Sequence, residues 1–377
     1  MRYFGYHFMR NKNIFQFIII LTVSFIICCN KKKSNGDTAI RESIRIVKQG
    51  LQHVWEMLWG PDEHIWFTER EGKISKMNPA TGAIVFSATI NEVVSSGEGG
   101  LLGLALHPDF LSNGFLYVVY NYNSASGYRE KLVRYTFSNN SIINPTTLIE
   151  DIAASSIHNG SRIRVVNEST GVKIYFTTGD ASNASSAQDV NSRSGKVMRL
   201  NADGTVPADN PIANNPLWSY GHRNPQGLVF VNSKIYESEH GPDIEDEVNI
   251  IEKGRNYGWP TVTGPCNGSE ISFCTVNNIK EPIWSSGGST IAVCGIDYYN
   301  SDKISAWKNS ILMTTLKDAS LRQLKLSSDG NSVVSTSIFF KDIYGRLRDI
   351  CISPSGNVYL CTSNGNNDDK IIEVSKL

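Results

Sequence analysis

The chain has no surplus of positive charge: 36 Lys and Arg stand against 36 Asp and Glu in 377 residues. That removes the basic footprint expected of a nucleic-acid binder or a polybasic membrane contact. Downstream of Cys29 there is no long apolar run, so nothing reads as a polytopic membrane protein. Helical periodicity of any length is missing. No CxxC occurs, which leaves zinc-ribbon and thioredoxin-type readings without support, and no CxxCH is present to attach haem. Charged residues are slightly scarce at 19%, while 40% hydrophobic content is too high for a disordered chain. What is plentiful is glycine (31), tyrosine (15) and phenylalanine (15), a mixture that favours many short strands joined by turns.

The one long apolar stretch lies at the N-terminus. Arg2, Arg10 and Lys12 precede the run from Ile14 to Ile27, which stops at Cys28 and Cys29. A basic start followed by an apolar core too short to span a bilayer is the pattern of a secretory signal. With two cysteines at its end it resembles a bacterial lipoprotein signal, the expected acceptor being Cys29, or Cys28 beside it; plain secretion or an uncleaved anchor is the other reading. Residues 1–29 are therefore expected to be a leader, 30–45 a linker and 46–377 one domain. The protein is expected in the bacterial cell envelope, on the periplasmic side or the outer membrane, touching membrane only through that anchor. Removing the leader leaves a domain with about three net negative charges. An oxidising compartment permits disulfides. Cys266 and Cys274, in one loop, are the expected pair; Cys351 and Cys361 face across a hairpin and are read either as a pair or as buried thiols; Cys294 is left over.

One unit recurs six times. Its second strand reads HIWFTE from His64, GFLYVVY from Gly114, KIYFTTGD from Lys173, KIYESEHG from Lys234, SILMTTLKD from Ser310 and NVYLCTSNG from Asn357. Its third reads KISKM, KLVRY, KVMRL, EVNII, LRQLKL and KIIEV, and upstream partners include GLLGLALHPDF, GLVFVNS and RDICISPSG. The repeat period is roughly 58 residues, longer than the ~40–50 of ordinary propeller blades, so the loops are elaborated. The expectation is an all-β protein, a six-bladed β-propeller of four-stranded antiparallel blades.

In an antiparallel pair, the loop entering the first strand and the loop leaving the second lie at one end. Glu98, His158, Arg223, Asn224, Arg346 and Arg348 fall before first strands; Asp180, His240 and Lys317 fall after second strands. Six blades should gather them around one mouth. His158 and Asp180 belong to one blade and can meet, the carboxylate fixing the imidazole tautomer and making its other nitrogen a better base. Arg223, Lys317, Arg346 and Arg348 come from three further blades and suit a small ligand with several carboxylates or phosphates. Arg346 and Arg348, at a strand start, are expected to point to opposite sides. From Glu239 to Pro260 the chain is rich in oxygen donors: the Gly241 and Pro242 carbonyls, then Asp243, Glu245, Asp246 and Glu247. Such donors without EF-hand spacing favour calcium over zinc or copper.

The order of GEGGLLGLALHPDF, HNGSRI, TTGD, GKVMRLNADG, WSYGHRNPQGL, EHGP with DEVN and NYGWP, and GRLRD resembles the soluble glucose/sorbosone dehydrogenase family from about Leu51 to Val374. That family includes aldose sugar dehydrogenases that use pyrroloquinoline quinone (PQQ) on a six-bladed propeller. The resemblance implies a PQQ-dependent oxidation of a sugar at its anomeric carbon, with His158 as general base, Asp180 as its partner and Arg223 beside them. It implies that Arg223, Asn224, Lys317, Arg346 and Arg348 hold the cofactor, with Glu98 at the same site. Gly241 and Pro242 match carbonyls on a calcium that polarises the cofactor, and Glu247 and Tyr257 match ligands of a second, structural calcium. A sugar substrate and an external electron acceptor are the implied partners. Two positions depart from the pattern: Glu98 stands where well-studied members carry Gln, and Ser161 where Gly is usual. Two other functions stay in view, a calcium-stabilised propeller that binds without catalysis and a lactonase-type metal hydrolase.

Overall fold

The computed structural model describes residues 43–377; the apolar leader with Cys28 and Cys29 lies outside the described residues. Among the described residues no helix is long and apolar enough to cross a membrane. Strand β1 (Ile44–Leu51) opens the described chain, its first two residues inside the 30–45 stretch read as linker. Blade 1 follows with β2 (Val54–Trp59), β3 (Ile65–Glu69), β4 (Lys73–Met77) and β5 (Ile84–Thr89). Blade 2 holds β6 (Leu101–Leu106), β7 (Phe115–Ser124), β8 (Gly127–Ser138) and β9 (Ser141–Ala153). Blade 3 holds β10 (Gly160–Glu168), β11 (Gly171–Thr178), β12 (Lys196–Asn201) and β13 (Leu217–Tyr220). Blade 4 holds β14 (Pro225–Val231), β15 (Lys234–Glu239), β16 (Glu247–Ile251) and β17 (Trp284–Ser285). Blade 5 holds β18 (Val293–Tyr299), β19 (Ser310–Thr315), β20 (Leu321–Leu326) and β21 (Val333–Phe339). Blade 6 has only β22 (Leu347–Ile352), β23 (Val358–Thr362) and β24 (Asp369–Val374) from its own end of the chain.

Its fourth strand is β1, which pairs antiparallel with β24 from Ile44 opposite Val374 to Leu51 opposite Asp369. This splices the two ends of the domain into one sheet and closes the ring. The inner strands β2, β6, β10, β14, β18 and β22 each pack against the next, the last returning to the first.

The blades are held together by six apolar clusters, one at each blade–blade seam. Strand periodicity explains how one blade serves two seams. On β7, Leu116, Val118 and Tyr120 join Trp66 and Ile74 of blade 1, whereas Tyr117 and Val119 turn to Ile163 and Phe176 of blade 3. Middle strands are thus buried on both faces and read as continuous apolar runs; β3 and β19 are buried at every position. Outer strands are not: β21 is largely exposed. Cys266 and Cys274 form a disulfide in the loop after β16, while Cys294, Cys351 and Cys361 are free and buried.

Candidate active site

The register at the mouth end of blade 3 brings the first candidate pair together. Gly160 pairs with Thr178, so the residues just outside both strands become neighbours. His158 Nδ1 lies 2.8 Å from Asp180 Oδ1. Gly179 makes the approach possible, since a Cβ there would stand 1.9 Å from the His158 carbonyl oxygen. Asp180 is tied down by donors only: Oδ1 also accepts from the Ser182 N–H at 2.8 Å, and Oδ2 from Trp259 Nε1–H at 2.9 Å. A carboxylate so placed takes the Nδ1–H of His158 and leaves Nε2 with its lone pair. His158 itself sits at φ 59° and donates its backbone N–H to Glu98 Oε2 at 3.1 Å.

Beside this pair a cavity of about 210 Å³ opens at the centre of the ring, with Arg70, Glu98, Gln226, His240, Arg346 and Arg348 in its wall. Arg346 and Arg348 share it, which corrects the expectation that they diverge: residues two apart on a strand face the same way. Arg348 Nη1 donates to Gln226 Oε1 at 2.9 Å and to Cys294 Sγ at 3.1 Å, neutral partners both. Burial, and after it the nearby Arg348, push the Arg70 and Arg346 guanidinium groups below their ordinary range. The cations of this wall are undercompensated. Buried donor atoms without a partner point the same way: Arg70 Nε, Arg223 Nε, Arg348 Nε and Asn224 Nδ2. Asn224 Oδ1 accepts from the Gly160 N–H at 3.1 Å and from Gln226 Nε2 at 3.0 Å. Lys317 is exposed, outside that wall, next to Leu316, which lines it.

A second, much smaller cavity of about 10 Å³ adjoins it, and His240 lines both. Its volume is about that of one water or one ion. Gly241, Pro242, Glu247 and Tyr257 all border it, together with Arg223, Glu239 and Glu245. All four candidate metal residues border this one space. Tyr257 donates its hydroxyl to the Ile250 carbonyl at 2.6 Å and accepts the Glu252 N–H at 2.8 Å, so its phenol is already engaged. Glu245 Oε2 is buried without a partner. Burial first, then repulsion from Glu239, raises the Glu247 carboxyl well above its ordinary range. Asp246 plays a different part: it accepts from the N–H groups of Gly241, Ile291 and Ala292 and from the Thr290 hydroxyl, fastening the acidic loop to the entry of β18. Arg223 borders the smaller space, 5.3 Å over the Trp259 ring, with Nη1 donating to the His240 carbonyl at 3.4 Å.

Sequence reading missed Arg70, Gln226, Trp259 and His222. Arg70 had a usable signal, because it follows HIWFTE as Asp180 follows IYFTT, at the exit of a second strand. Gln226 and Trp259 had none; one is the second residue of an inner strand, and the other reaches Asp180 across 79 positions.

Known proteins resemble this chain along most of its length. Residues 51–373 match the glucose/sorbosone dehydrogenase family. Quinoprotein glucose dehydrogenase B of Acinetobacter calcoaceticus is 29% identical over 415 residues, covering 86% of this chain and 86% of that protein. Aldose sugar dehydrogenase YliI of Escherichia coli is 29% identical over 342 residues, covering 86% of this chain and 91% of its own. The structure of the PQQ-bound aldose sugar dehydrogenase of Streptomyces coelicolor superposes with a TM-score of 0.74 at 29% identity, over 88% of this chain and 97% of that one. A six-bladed ring with a His–Asp pair beside an undercompensated cationic cavity, matched along nearly all of its described length, places the chain in the glucose/sorbosone dehydrogenase family as an oxidoreductase.

Proposed function

We propose that the protein is a PQQ-dependent aldose dehydrogenase that oxidises a sugar at its anomeric carbon, with His158 as the general base. The observation that carries this reading is the meeting of the Asp180-oriented imidazole with a wall of buried, partnerless cationic donors. An anionic, planar cofactor with several carboxylates fits those donors. Arg223, Asn224, Arg346 and Arg348 would hold it, with Arg70 in the same wall and Lys317 reaching in from outside it. Bound there, PQQ would supply a two-electron acceptor for the hydride leaving the anomeric carbon.

The chain's own residues account for the proton. Asp180 keeps Nδ1–H of His158 occupied, so Nε2 accepts the proton of the anomeric hydroxyl, and the Asp180 charge stabilises the imidazolium that forms. Trp259 and Ser182 hold Asp180 in place as it does so. Glu98 accepts the His158 N–H, which fixes the loop that carries the base. Around the one-ion cavity, Glu239, Glu245 and Glu247 with the Gly241 and Pro242 carbonyls are hard oxygen donors, and the partnerless Glu245 Oε2 fits a bound calcium. The leader pattern, together with the Cys266–Cys274 disulfide, supports activity in the bacterial envelope.

The test is reconstitution with PQQ and Ca²⁺ followed by dye reduction over an aldose panel. His158→Ala should keep the quinone absorbance of the wild type and lose roughly 100- to 10,000-fold in turnover. Retained turnover removes the base assignment; no quinone binding by the wild type removes the proposal.

A further inference from the structure

His222 immediately precedes Arg223, and Glu237 and Glu239 stand two apart on β15, hence on one face of that strand. One ring nitrogen of His222 and one carboxylate oxygen from each glutamate lie within 4.8 Å of one another, and all three side chains are buried. Glu237 is fully inaccessible, and its Oε1 has no hydrogen-bond partner. Its other oxygen shares the amide of Asn249 with Glu247, at 3.2 Å and 3.0 Å. His222 places Nε2 2.8 Å from Ser219 Oγ and Nδ1 3.3 Å from Glu239 Oε2. When Nε2–H donates to Ser219, Nδ1 turns its lone pair toward the carboxylates, the outer-shell arrangement that presents an imidazole to a metal.

Among the described residues no lysine or arginine side chain forms an ion pair with these acids, although the Arg223 charge favours ionised Glu239 from a distance. Lys196 Nζ is spent on the carbonyls of Ser186, Ala187 and Ser194, and the Arg223 guanidinium faces the His240 carbonyl and the Trp259 ring. A buried acceptor left open costs about 1–3 kcal/mol, more when charged. We infer that His222, Glu237 and Glu239 form a site for one divalent cation of the zinc or manganese type. An imidazole with two carboxylates suits those ions, whereas the neighbouring one-ion cavity, bordered by three glutamates and with the His240 Nε2 already engaged by the Val293 carbonyl, is richer in oxygen and suits calcium. Glu239 borders both, and its Oε2 also accepts the Arg223 N–H at 3.3 Å, so the ion would fasten the backbone of a mouth residue from beneath.

The whole protein, stripped with chelator and returned to saturating Ca²⁺, is given Zn²⁺ or Mn²⁺, passed over a sizing column and assayed by elemental analysis and thermal unfolding. The wild type is expected to retain one equivalent and unfold at higher temperature. Glu237→Gln, which keeps the shape and the Asn249 contact, should bind about 100-fold more weakly and show no shift. Co²⁺ uptake by the wild type, read from its ligand-field absorbance, provides a nitrogen-sensitive signal that needs no variant. Three results each overturn the site: no retained ion in the wild type, equal uptake by Glu237→Gln, or an oxygen-only cobalt spectrum displaced by Ca²⁺. Because no PQQ or sugar enters this experiment, its failure leaves the dehydrogenase reading untouched, and failed dye reduction leaves this site untouched.

Discussion

Two arginines lie against the same tryptophan and live in opposite circumstances. Arg162 has its guanidinium 4.3 Å over the Trp55 ring, and Arg348 has its own at 5.9 Å. Arg162, fully buried, keeps Nη1 2.8 Å from Glu56 Oε1 and 2.9 Å from Asp349 Oδ2. Glu56 Oε1 is also 2.8 Å from Arg164 Nη1. Arg348, at the cavity, has only an amide oxygen and a thiol. Arg162 and Arg164 are matched with acids; Arg348 is not. Buried charge that is paired serves the fold, and buried charge left open serves a ligand that supplies the missing sign.

The sharpest way to break this contrast is Glu56→Ala. It leaves Arg162 and Arg164 without their shared carboxylate and should cost about 3–5 kcal/mol of stability, read from denaturant unfolding. A loss below about 1 kcal/mol would mean that the Arg162 and Arg164 pairs do little for the fold. Next comes Glu130, buried in blade 2, whose carboxyl is pushed up to about 8 by burial and accepts the Ser161 hydroxyl at 2.5 Å. Its folded pKa exceeds its unfolded one, so the folded state holds the proton more tightly. Its contribution is full at acid pH and is lost as pH rises from about 5 through about 8, a change on the order of 2–4 kcal/mol. Glu130→Gln should flatten that slope; an unchanged slope assigns it elsewhere.

Arg348→Ala tests the other side of the comparison. Removing a cation that faces neutral partners should leave apo stability within about 1 kcal/mol, yet weaken PQQ binding by about 1.5–3 kcal/mol in an absorbance titration. Equal damage to fold and binding would erase the distinction. Smallest is Ser161→Gly. Ser161 sits at φ 74°, and its hydroxyl bonds Glu130. A side chain in that left-handed region is strained by roughly 1–2 kcal/mol. The hydrogen bond offsets about 1 kcal/mol of it, so thermal unfolding should move by less than about 1 kcal/mol, while the Glu130-linked pH slope steepens.

Much of the ring was legible because middle strands are buried on both faces and carry unbroken apolar runs. HIWFTE and SILMTT read plainly for that reason. Outer strands such as β21, with Val334 62% exposed, have no such pressure and left no pattern. The start of strand β1, Ile44 and Arg45, was read as linker, since its meaning lies in Asp369–Val374, more than 300 positions away. At the mouth, the strand-end rule located His158, Asp180, Arg223, Arg346 and Arg348, and would have located Arg70. It had no way to reach Trp259, which bonds Asp180 from a different blade.

Net neutrality, strand repetition and the sorting of polar residues to strand ends belong to the sequence itself, because burial and turn chemistry act on neighbouring residues. Pairing does not. That Arg162 meets Glu56 and Asp349 while Arg348 meets no acid, and that Gly241, Pro242, Glu247 and Tyr257 border one ion-sized space, follow from how six blades converge. Electrostatic compensation depends on separations of a few ångströms across the ring, and only the tertiary structure decides those.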